Sequence, residues 1–545
     1  MEQKPSLIHP MPIVTGQTMA EIDRVSIQER GIAGALLMER AGGGIARYFM
    51  HALDAGQLQN GVILCGKGNN GGDGFVIGRH LHLEGFSPHI CLLGSSADLK
   101  GDAASNFQRA QDLGVSITEC QDASTWRTFF EAHQDSHLWV DALLGTGAKG
   151  APRGLMATVI PDVNQLPGER CRAAVDMPSG VDADSGAVEG DAFWAQVTLT
   201  MGLPKVGQVL PPGLDYCGHL RVLDIGFPAD LIETAPAPAQ WLTPKHIHQW
   251  LPVRKRSAHK GSQGHLLVIA GSRGMTGAAL LCARAAIQMG AGLVTAVCPA
   301  SQHPIYAQGV WEMLTHPVSE TTGGAIASAA FEEIDWSRDY DAVVIGPGLG
   351  RDPDTEALVR RVVQTVQAPV LIDGDGLNAL NGEQLSSRGH PWLATPHPGE
   401  MARLLGQSVP QVQADRFGSA KALVHEAAAL ILKGPCSVIA SSSHCWINPT
   451  GGPAMASGGM GDVLAGMAGA LLANGLAVEH AAAAATYLHG ECANQAVERT
   501  GAEALAAGQL IDEIPHALSA VRAAGRSQAV LPGVHSMIEE IIAAT

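Results

Sequence analysis

The stretch Val62-Ile-Leu-Cys65, followed directly by Gly66-Lys-Gly-Asn-Asn-Gly-Gly-Asp-Gly74, changes character in a single step. Its first four residues are uniformly apolar and read as a strand buried on both faces. The residues that follow are rich in glycine and read as a loop, with a helix resuming from about Asp73 to Glu84. Adjacent glycines let the backbone approach a ligand closely, and a helix start favours anions. A Gly-rich turn alone is equally compatible with a tight structural turn. Asn69, Asn70 and Asp73 crowd oxygen-bearing side chains into this one and favour a site.

The same rhythm continues outward. His89-Ile-Cys-Leu-Leu93, Leu138-Trp-Val-Asp141 and Arg172-Ala-Ala-Val-Asp176 read as further strands, each ending in polar or Gly residues. Strands alternating with helical stretches imply a parallel sheet covered on both faces. In such sheets ligands bind beyond the carboxyl ends of the strands, where Asp141 and Asp176 stand. A Pro/Ala alternation, Glu233-Thr-Ala-Pro-Ala-Pro-Ala-Gln240, then interrupts the pattern and reads as extended linker. After it, His265-Leu-Leu-Val-Ile-Ala270, Leu293-Val-Thr-Ala-Val-Cys298, Asp341-Ala-Val-Val-Ile345, Pro369-Val-Leu-Ile-Asp373 and Ala429-Leu-Ile-Leu-Lys433 read as strands ending at Gly271, Gly346, Asp373 and Lys433. The two halves show no clear internal repeat. The fold class is therefore α/β throughout, with one domain over residues 1–232, a linker at 233–241 and a second domain over 242–545.

Composition narrows the function classes. The 545 residues are 46% hydrophobic and 16% charged, enough apolar material for large cores. The net charge of −17 lacks the electrostatic footprint of a nucleic-acid binder, so no nucleic-acid partner is expected. The ten Cys form no CxxC or Cys/His cluster and read as buried small hydrophobes of a reducing compartment. The N-terminal segment has Pro5, Pro10 and Pro12 and no apolar signal core, and the Ala481–Ala485 run is too short for a membrane span. A cytoplasmic location, no membrane association and a homo-oligomeric state are the expectations.

Two further segments join the first loop: Asp141-Ala-Leu-Leu-Gly-Thr-Gly147 and Asp176-Met-Pro-Ser-Gly180. Three strand-end loops bearing carboxylate, amide and hydroxyl oxygens can converge on a hard monovalent cation. The combination GNNGGDG, DALLGTG and DMPSG resembles the YjeF N-terminal family, the NAD(P)H-hydrate epimerases, over roughly residues 11–227, and implies a Rossmann-like three-layer domain. The resemblance implies potassium (K+) ligands at Asn70, Asp141 and Ser179. It implies substrate contacts at Asn69, Asn70, Gly71, Gly72 and Asp73, at Gly145, Thr146, Gly147, Ala148, Lys149, Gly150 and Ala151, and at Asp176. Lys149 and Asp176 are the candidate acid/base pair, with a solvated surface lysine as the plainer reading of Lys149. Ring opening and hydroxide loss with re-addition both stay open as the epimerisation chemistry.

In the second half the strongest segment is Met455-Ala-Ser-Gly-Gly-Met-Gly-Asp462, which feeds the small-residue helix Val463-Leu-Ala-Gly-Met-Ala-Gly-Ala470. A glycine run at a helix start aims several N–H groups at one point, an anion hole for a transferring phosphoryl group. Asp462, just inside the helix, can take a proton from an attacking hydroxyl, although an Asp there also stabilises its own helix start. Together with Thr395-Pro-His-Pro-Gly-Glu400 and Lys433-Gly-Pro-Cys-Ser437 it resembles the ribokinase-like superfamily. Within that superfamily the pattern is similar to the ADP-dependent NAD(P)H-hydrate dehydratases, the YjeF C-terminal family, over about residues 242–518. Lys260-Gly261 with Gly264, Gly271-Ser-Arg-Gly-Met-Thr-Gly-Ala278 and Gly346-Pro-Gly-Leu-Gly350 carry the same resemblance. It implies substrate contacts at Ala278, Gly348, His397 and Asp462, with Asp462 catalytic. It implies ADP contacts at Lys433, Gly434, Pro435, Cys436 and Ser437 and at Ala456, Ser457, Gly458, Gly459, Met460 and Gly461. Magnesium (Mg2+) would bridge the nucleotide phosphates. His397 stands where vitamin and sugar kinases of the superfamily usually carry Asn, and Gly374 and Gly376 stand where the family often has Ala.

Both halves thus resemble successive steps on one substrate. The implied activity interconverts the R and S forms of the hydrated cofactors NADHX and NADPHX and dehydrates the S form to NAD(P)H, converting ADP to AMP and phosphate. The rival readings are a ribokinase-type small-molecule kinase with a ligand-binding N-terminal domain, and an N-terminal half that binds without catalysing. His397 and the paired motif sets weigh against the first. Intact Asn70, Asp141, Asp176 and Ser179 weigh against the second.

Overall fold

The computed structural model describes residues 11–53, 60–526 and 538–543, the last of these and residues 525–526 by backbone alone. The chain divides into two compact units, Met1–Pro238 with Met537–Thr545, and Ala239–Ser536. The division falls inside the expected linker region. Helix Ala229–Glu233 ends at the first residue of that region, and the region's last residues form the short strand Ala239–Trp241. Residues 537–545 were expected in the second domain but group with the first. The reason is that the strand Ile538–Ala543 pairs in parallel with His219–Asp224.

In the first unit the strands run in the order Ile538–Ala543, His219–Asp224, Val197–Met201, Cys171–Val175, Leu138–Ala142, Gly61–Cys65, His89–Leu93, Ser116–Cys120. Every pairing is parallel. Alternate residues of Gly61–Cys65 enter two different cores. Ile63 and Cys65 pack with Ile45, Phe49 and Phe75 on one face, and Val62 and Leu64 pack with Trp126, Trp139 and Ile160 on the other. The result is the three-layer α/β arrangement that the alternation implied. Gly61–Cys65 has the earlier-numbered neighbour pattern reversed on its two sides, His89–Leu93 on one and Leu138–Ala142 on the other. The chain changes direction along the sheet there, which opens a crevice at the carboxyl ends.

In the second unit the strand order is Ala239–Trp241, Cys445–Ile447, Val438–Ser441, Ala428–Leu432, Trp392–Ala394, Val370–Ile372, Ala342–Ile345, His265–Ile269, Leu293–Pro299, Leu314–Val318. The pairings are parallel except where Val438–Ser441 runs antiparallel to both neighbours. The register sets Ile345 beside Ile372, and Ile372 beside Ala394. Gly346, Asp373 and Thr395 therefore leave the sheet in one row. Helix Met460–Ala473 packs on helix Thr276–Met289 and on this sheet: a Cβ on Gly466 would come within 2.1 Å of the Cys282 carbonyl oxygen on that helix. A Cβ on Gly469 would meet a Val344 methyl at 2.5 Å, so the small residues of this helix are required by packing.

Candidate active sites

The helix after the first strand begins at Asn69, not near Asp73, and runs Asn69–Leu83. Asn69 to Asp73 are thus a first helical turn, not loop. Packing overrides the low helix propensity of glycine here. A Cβ on Gly71 would lie 1.9 Å from the Gly66 carbonyl oxygen, and one on Gly74 would lie 2.5 Å from the Cys65 sulfur. The helix start is pressed onto its own strand end, and only glycine permits that.

This helix start, the loop after Leu138–Ala142 and the segment after Cys171–Val175 surround a pocket of about 650 Å³. Its walls include Asn69, Asn70, Asp73, Gly145, Thr146, Gly147, Ala148 and Asp176, together with Asp23 and Lys205. Of the expected substrate contacts, Gly71, Gly72, Lys149, Gly150 and Ala151 are not among its walls.

Asp141, Ser179 and Asn70 form one connected group. The fully buried Asp141 carboxylate accepts from the Ser179 hydroxyl at 2.7 Å, the Ser179 backbone N–H at 2.7 Å and the Leu143 N–H at 3.1 Å. Ser179 Oγ accepts from Leu144 N–H at 3.0 Å, and Asn70 Nδ2 donates to the Leu144 carbonyl at 2.9 Å. Burial pushes the Asp141 carboxyl up to about 6, against the lowering effect of these hydrogen bonds.

The structure does not bring Lys149 to Asp176. Lys149 is largely exposed, and its ammonium lies 3.3 Å from Asp184 on a loop outside the pocket. The amine at Asp176 is Lys205, which the sequence reading missed. Lys205 is wholly buried, and its Nζ donates to Asp176 Oδ1 at 2.6 Å, Thr200 Oγ1 at 2.8 Å and the Met201 carbonyl at 3.0 Å. The signal was available: a lone cation in the otherwise uncharged run Met201-Gly-Leu-Pro-Lys-Val-Gly-Gln208 is costly to bury unless it has a partner. Asp176 itself adopts φ of 63°, unusual outside glycine, and its carbonyl accepts from Gln208 Nε2 at 2.6 Å. Asp73 lies deep in the same pocket. Burial first, and the Asp176 and Asp23 carboxylates second, hold its carboxyl well above the usual range.

In the second unit, the row of strand ends assembles a charged cluster. Asp373 Oδ1 accepts from Lys433 Nζ at 2.8 Å and from Thr395 Oγ1 at 2.5 Å, and Lys433 lies 3.8 Å from Glu400 Oε2. Helix Met460–Ala473 starts after Gly459, whose φ of 88° only glycine adopts readily. Gly461 faces the cluster: a Cβ there would stand 3.5 Å from Lys433 Nζ and 3.8 Å from Asp373 Oδ2. Asp462 follows it in the first turn. Burial and the nearby Asp373 charge push its carboxyl up to about 6, while Lys433 opposes them. Ala278 and Gly348 lie against each other, with a Cβ on Gly348 only 2.8 Å from that of Ala278. His397 caps helix Pro398–Leu405: its Nδ1 accepts from the N–H groups of Gly399 at 3.0 Å and Glu400 at 3.3 Å. The Glu400 carboxylate accepts in return from His397 N–H at 2.8 Å. The other ring nitrogen, Nε2, lies 3.5 Å from Glu400 Oε1, so both ring nitrogens face their own helix start. The loop Lys433 to Ser437 is held from beneath by buried Arg416, which donates to the carbonyls of Leu432 at 3.1 Å and Lys433 at 3.4 Å. Asp373, Thr395 and Arg416 were absent from the expected site residues. Among the described residues there is no cluster of three His, Cys, Asp or Glu side chains fit for a metal.

Comparison with known proteins assigns a family to each unit. Residues 266–516 match the NAD(P)H-hydrate dehydratase family, and residues 34–207 match the YjeF-related protein N-terminus family. The bifunctional NAD(P)H-hydrate repair enzyme Nnr of Moorella thermoacetica is 41% identical over 519 residues, which cover 93% of this chain and 97% of that protein. The enzyme of the same name from Escherichia coli is 32% identical over 83% of this chain and 84% of its own length. Among solved structures, the ADP/ATP-dependent NAD(P)H-hydrate dehydratase of Bacillus subtilis, co-crystallised with ATP/Mg2+, is 32% identical. It covers 52% of this chain and 98% of its own, with a TM-score of 0.46. With relatives matching across both units at this identity, the chain belongs to the bifunctional NAD(P)H-hydrate repair enzymes, which join an epimerase and a dehydratase in one polypeptide.

Proposed function

We propose that the second unit dehydrates the S hydrate by phosphorylating it from ADP. The observation that carries this reading is the placement of Asp462, a carboxylate with its affinity for protons pushed up to about 6, one residue after the glycine that faces Lys433. A general base works best with a pKa near the operating pH, which Asp462 approaches. Asp462 takes the proton of the C6 hydroxyl as that oxygen attacks the terminal phosphoryl group. The N–H groups of residues 458–461 and the Lys433 ammonium face the charge that develops on the phosphoryl oxygens. A proton then leaves C5 to water as phosphate departs from C6, the C5–H electron pair forms the C5–C6 double bond, and the products are NAD(P)H, AMP and phosphate. Gly348, Ala278 and His397 border the substrate. The segments 433–437 and 456–461 hold the nucleotide. Asp373 and Glu400 offer the hard oxygen donors that magnesium takes, and would hold it where it neutralises nucleotide phosphates.

The first unit would hold potassium through Asp141, Ser179 and Asn70. The donor set fits: a buried carboxylate reached by neutral donors only, beside a hydroxyl and an amide whose nitrogen is already committed to Leu144. A bound cation would supply the positive charge that this buried carboxylate lacks. The substrates are NADHX and NADPHX. No helix among the described residues is long and apolar enough to cross a membrane, and the acidic chain suits small-molecule work in the cytoplasm, without nucleic acid, as a homo-oligomer. The test is incubation of the purified protein with mixed R and S hydrates, with and without ADP, followed by chiral chromatography. Both epimers should disappear with ADP. Without it they should equilibrate and persist. Consumption of the S form alone would leave the first unit without an epimerase role.

A further inference from the structure

The pocket of the first unit contains two carboxyl groups in opposite surroundings. Asp176 Oδ1 is saturated: it accepts from Lys205 Nζ at 2.6 Å, Thr200 Oγ1 at 3.1 Å and the Met201 N–H at 3.3 Å. Lys205 is wholly buried, and its three hydrogen bonds use its three protons. The ammonium has no proton left to donate to a ligand, so it acts on Asp176 alone. It fixes the orientation of that carboxylate and leaves Oδ2 for the pocket. Asp73 has no such cation. It sits in the first turns of helix Asn69–Leu83, 7% exposed, and borders the same cavity as Asp176. Asp23, half-buried on helix Gly16–Gln28, and Asp102 are the other two acids lining the cavity, and Lys67, its second lysine, is paired with Asp98. A buried acid beside a negative neighbour, with no cation of its own, holds its proton more tightly than an ordinary carboxyl.

We propose that epimerisation runs on Asp73 as proton donor and Asp176 as proton acceptor, with Lys205 as the positioning residue that fixes Asp176. The proposal rests on the epimerase reading of this unit. Burial first, and the Asp176 and Asp23 charges second, raise the Asp73 carboxyl well above the usual range, in accord with the donor role. The Asp73 carboxyl gives its proton to the C6 hydroxyl of the hydrate. The C6–O bond breaks with its electron pair leaving on oxygen as water, and the lone pair of the ring nitrogen forms the C6–N double bond. Water then adds to the opposite face of C6, the double-bond pair returns to nitrogen, and the proton lost by the water passes to Asp176. A proton moving from Asp176 to Asp73 through pocket water restores the start. No oxidant or reductant enters, and the reverse reaction follows the same route.

The test measures epimerisation by chiral chromatography on the full-length protein without nucleotide, with dehydration of the pure S form as a folding control in the same chain. Asp73→Asn and Asp176→Asn should each lower the epimerisation kcat by at least about 100-fold, the usual scale of acid–base catalysis, with a smaller change in KM. Lys205→Met should lower the epimerisation kcat by at least about 10-fold with little change in KM, because Asp176 loses the donor that orients it, and Lys205→Arg should recover part of that loss. A purely structural lysine would lower dehydration and melting temperature together with epimerisation. In heavy-oxygen water each inversion should place one solvent oxygen at C6. Should Lys205→Met fail to fold, the two Asn variants and the isotope measurement decide. If wild-type protein does not interconvert R and S at all, the epimerase reading fails. If it does, and Asp73→Asn keeps more than about a tenth of the rate or inversion proceeds without oxygen exchange, the assignment of Asp73 is overturned.

Discussion

Asp462→Asn removes the carboxylate proposed to receive the substrate proton, while keeping its shape. The backbone of residues 458–461 is untouched, so nucleotide should bind nearly as before. Loss of a positioned base costs about 10²- to 10⁴-fold, and the loss should appear in kcat more than in KM, because the interaction strengthens only as the hydroxyl attacks. The same residue sets a pH dependence. With its carboxyl at about 6, Asp462 is ionised in about 90% of molecules at pH 7 and in about 10% at pH 5. The wild-type dehydration rate should therefore fall roughly tenfold between those values. A carboxyl at its ordinary 3.8 would lose almost nothing over the same range. The direction follows from the mechanism: the base must be ionised, burial and Asp373 favour the protonated form, and activity is lost as the pH falls through 6. Initial rates of NAD(P)H appearance from pure S hydrate with ADP, followed by absorbance, measure both effects. A profile flat to pH 5, or an Asn variant with more than about a tenth of wild-type kcat, would refute the assignment of Asp462 as base.

Asp141→Ala should depress epimerisation and leave dehydration of the S form nearly intact, and epimerisation measured alone with R hydrate reads this directly. The buried Asp141 carboxyl, at about 6 against an ordinary 3.8, favours the protonated fold. Stability should be greatest below about pH 3.8 on this account and be lost as the pH rises through 6, by about 3 kcal/mol. Potassium should restore it, so melting of the first unit at pH 8 in KCl against choline chloride, compared with Asp141→Asn, tests the cation site. Omitting nucleotide should stop dehydration and leave epimerisation unchanged; full dehydration without it contradicts the phosphorylation route. Gly74→Val, which drives side-chain atoms into Cys65 and Ala142, should destabilise the first unit by at least about 1–3 kcal/mol in denaturant titration.

Much of this architecture is readable from the chain because buried parallel strands are short continuous apolar runs. Gly61–Cys65 and Ala428–Leu432 announce themselves in that way, and the site residues follow their carboxyl ends. Val197–Met201 is a different case. Its Thr198 and Thr200 interrupt the apolar run, and their hydroxyls are satisfied inside the fold by the Cys217 carbonyl and Asp176. The strand went unread, and so did Lys205 beyond it. Lys149 attracted attention because it sits in a Gly-rich segment, but its long side chain reaches Asp184 on the surface. Asn69 to Asp73 looked like a loop because propensity is local, whereas contact with Gly66 and Cys65 imposes the helix. The return of Ile538–Ala543 to the first sheet is a long-range pairing that a reading by contiguous segments does not anticipate.

The crowding around Gly71 and Gly74 has a consequence for how tightly the first unit can hold a ligand. Glycine-rich phosphate loops that are free in solution must be ordered on binding, at about 1–2 kcal/mol for each residue fixed. Here the glycines are already immobilised, because their missing side chains have let neighbouring backbone and sulfur fill the space. The conformational entropy was surrendered when the chain folded, not when substrate arrives. Amides of residues 72–74, which bond into the helix, should accordingly exchange slowly with solvent in the free protein, and exchange little more slowly once the hydrate is bound.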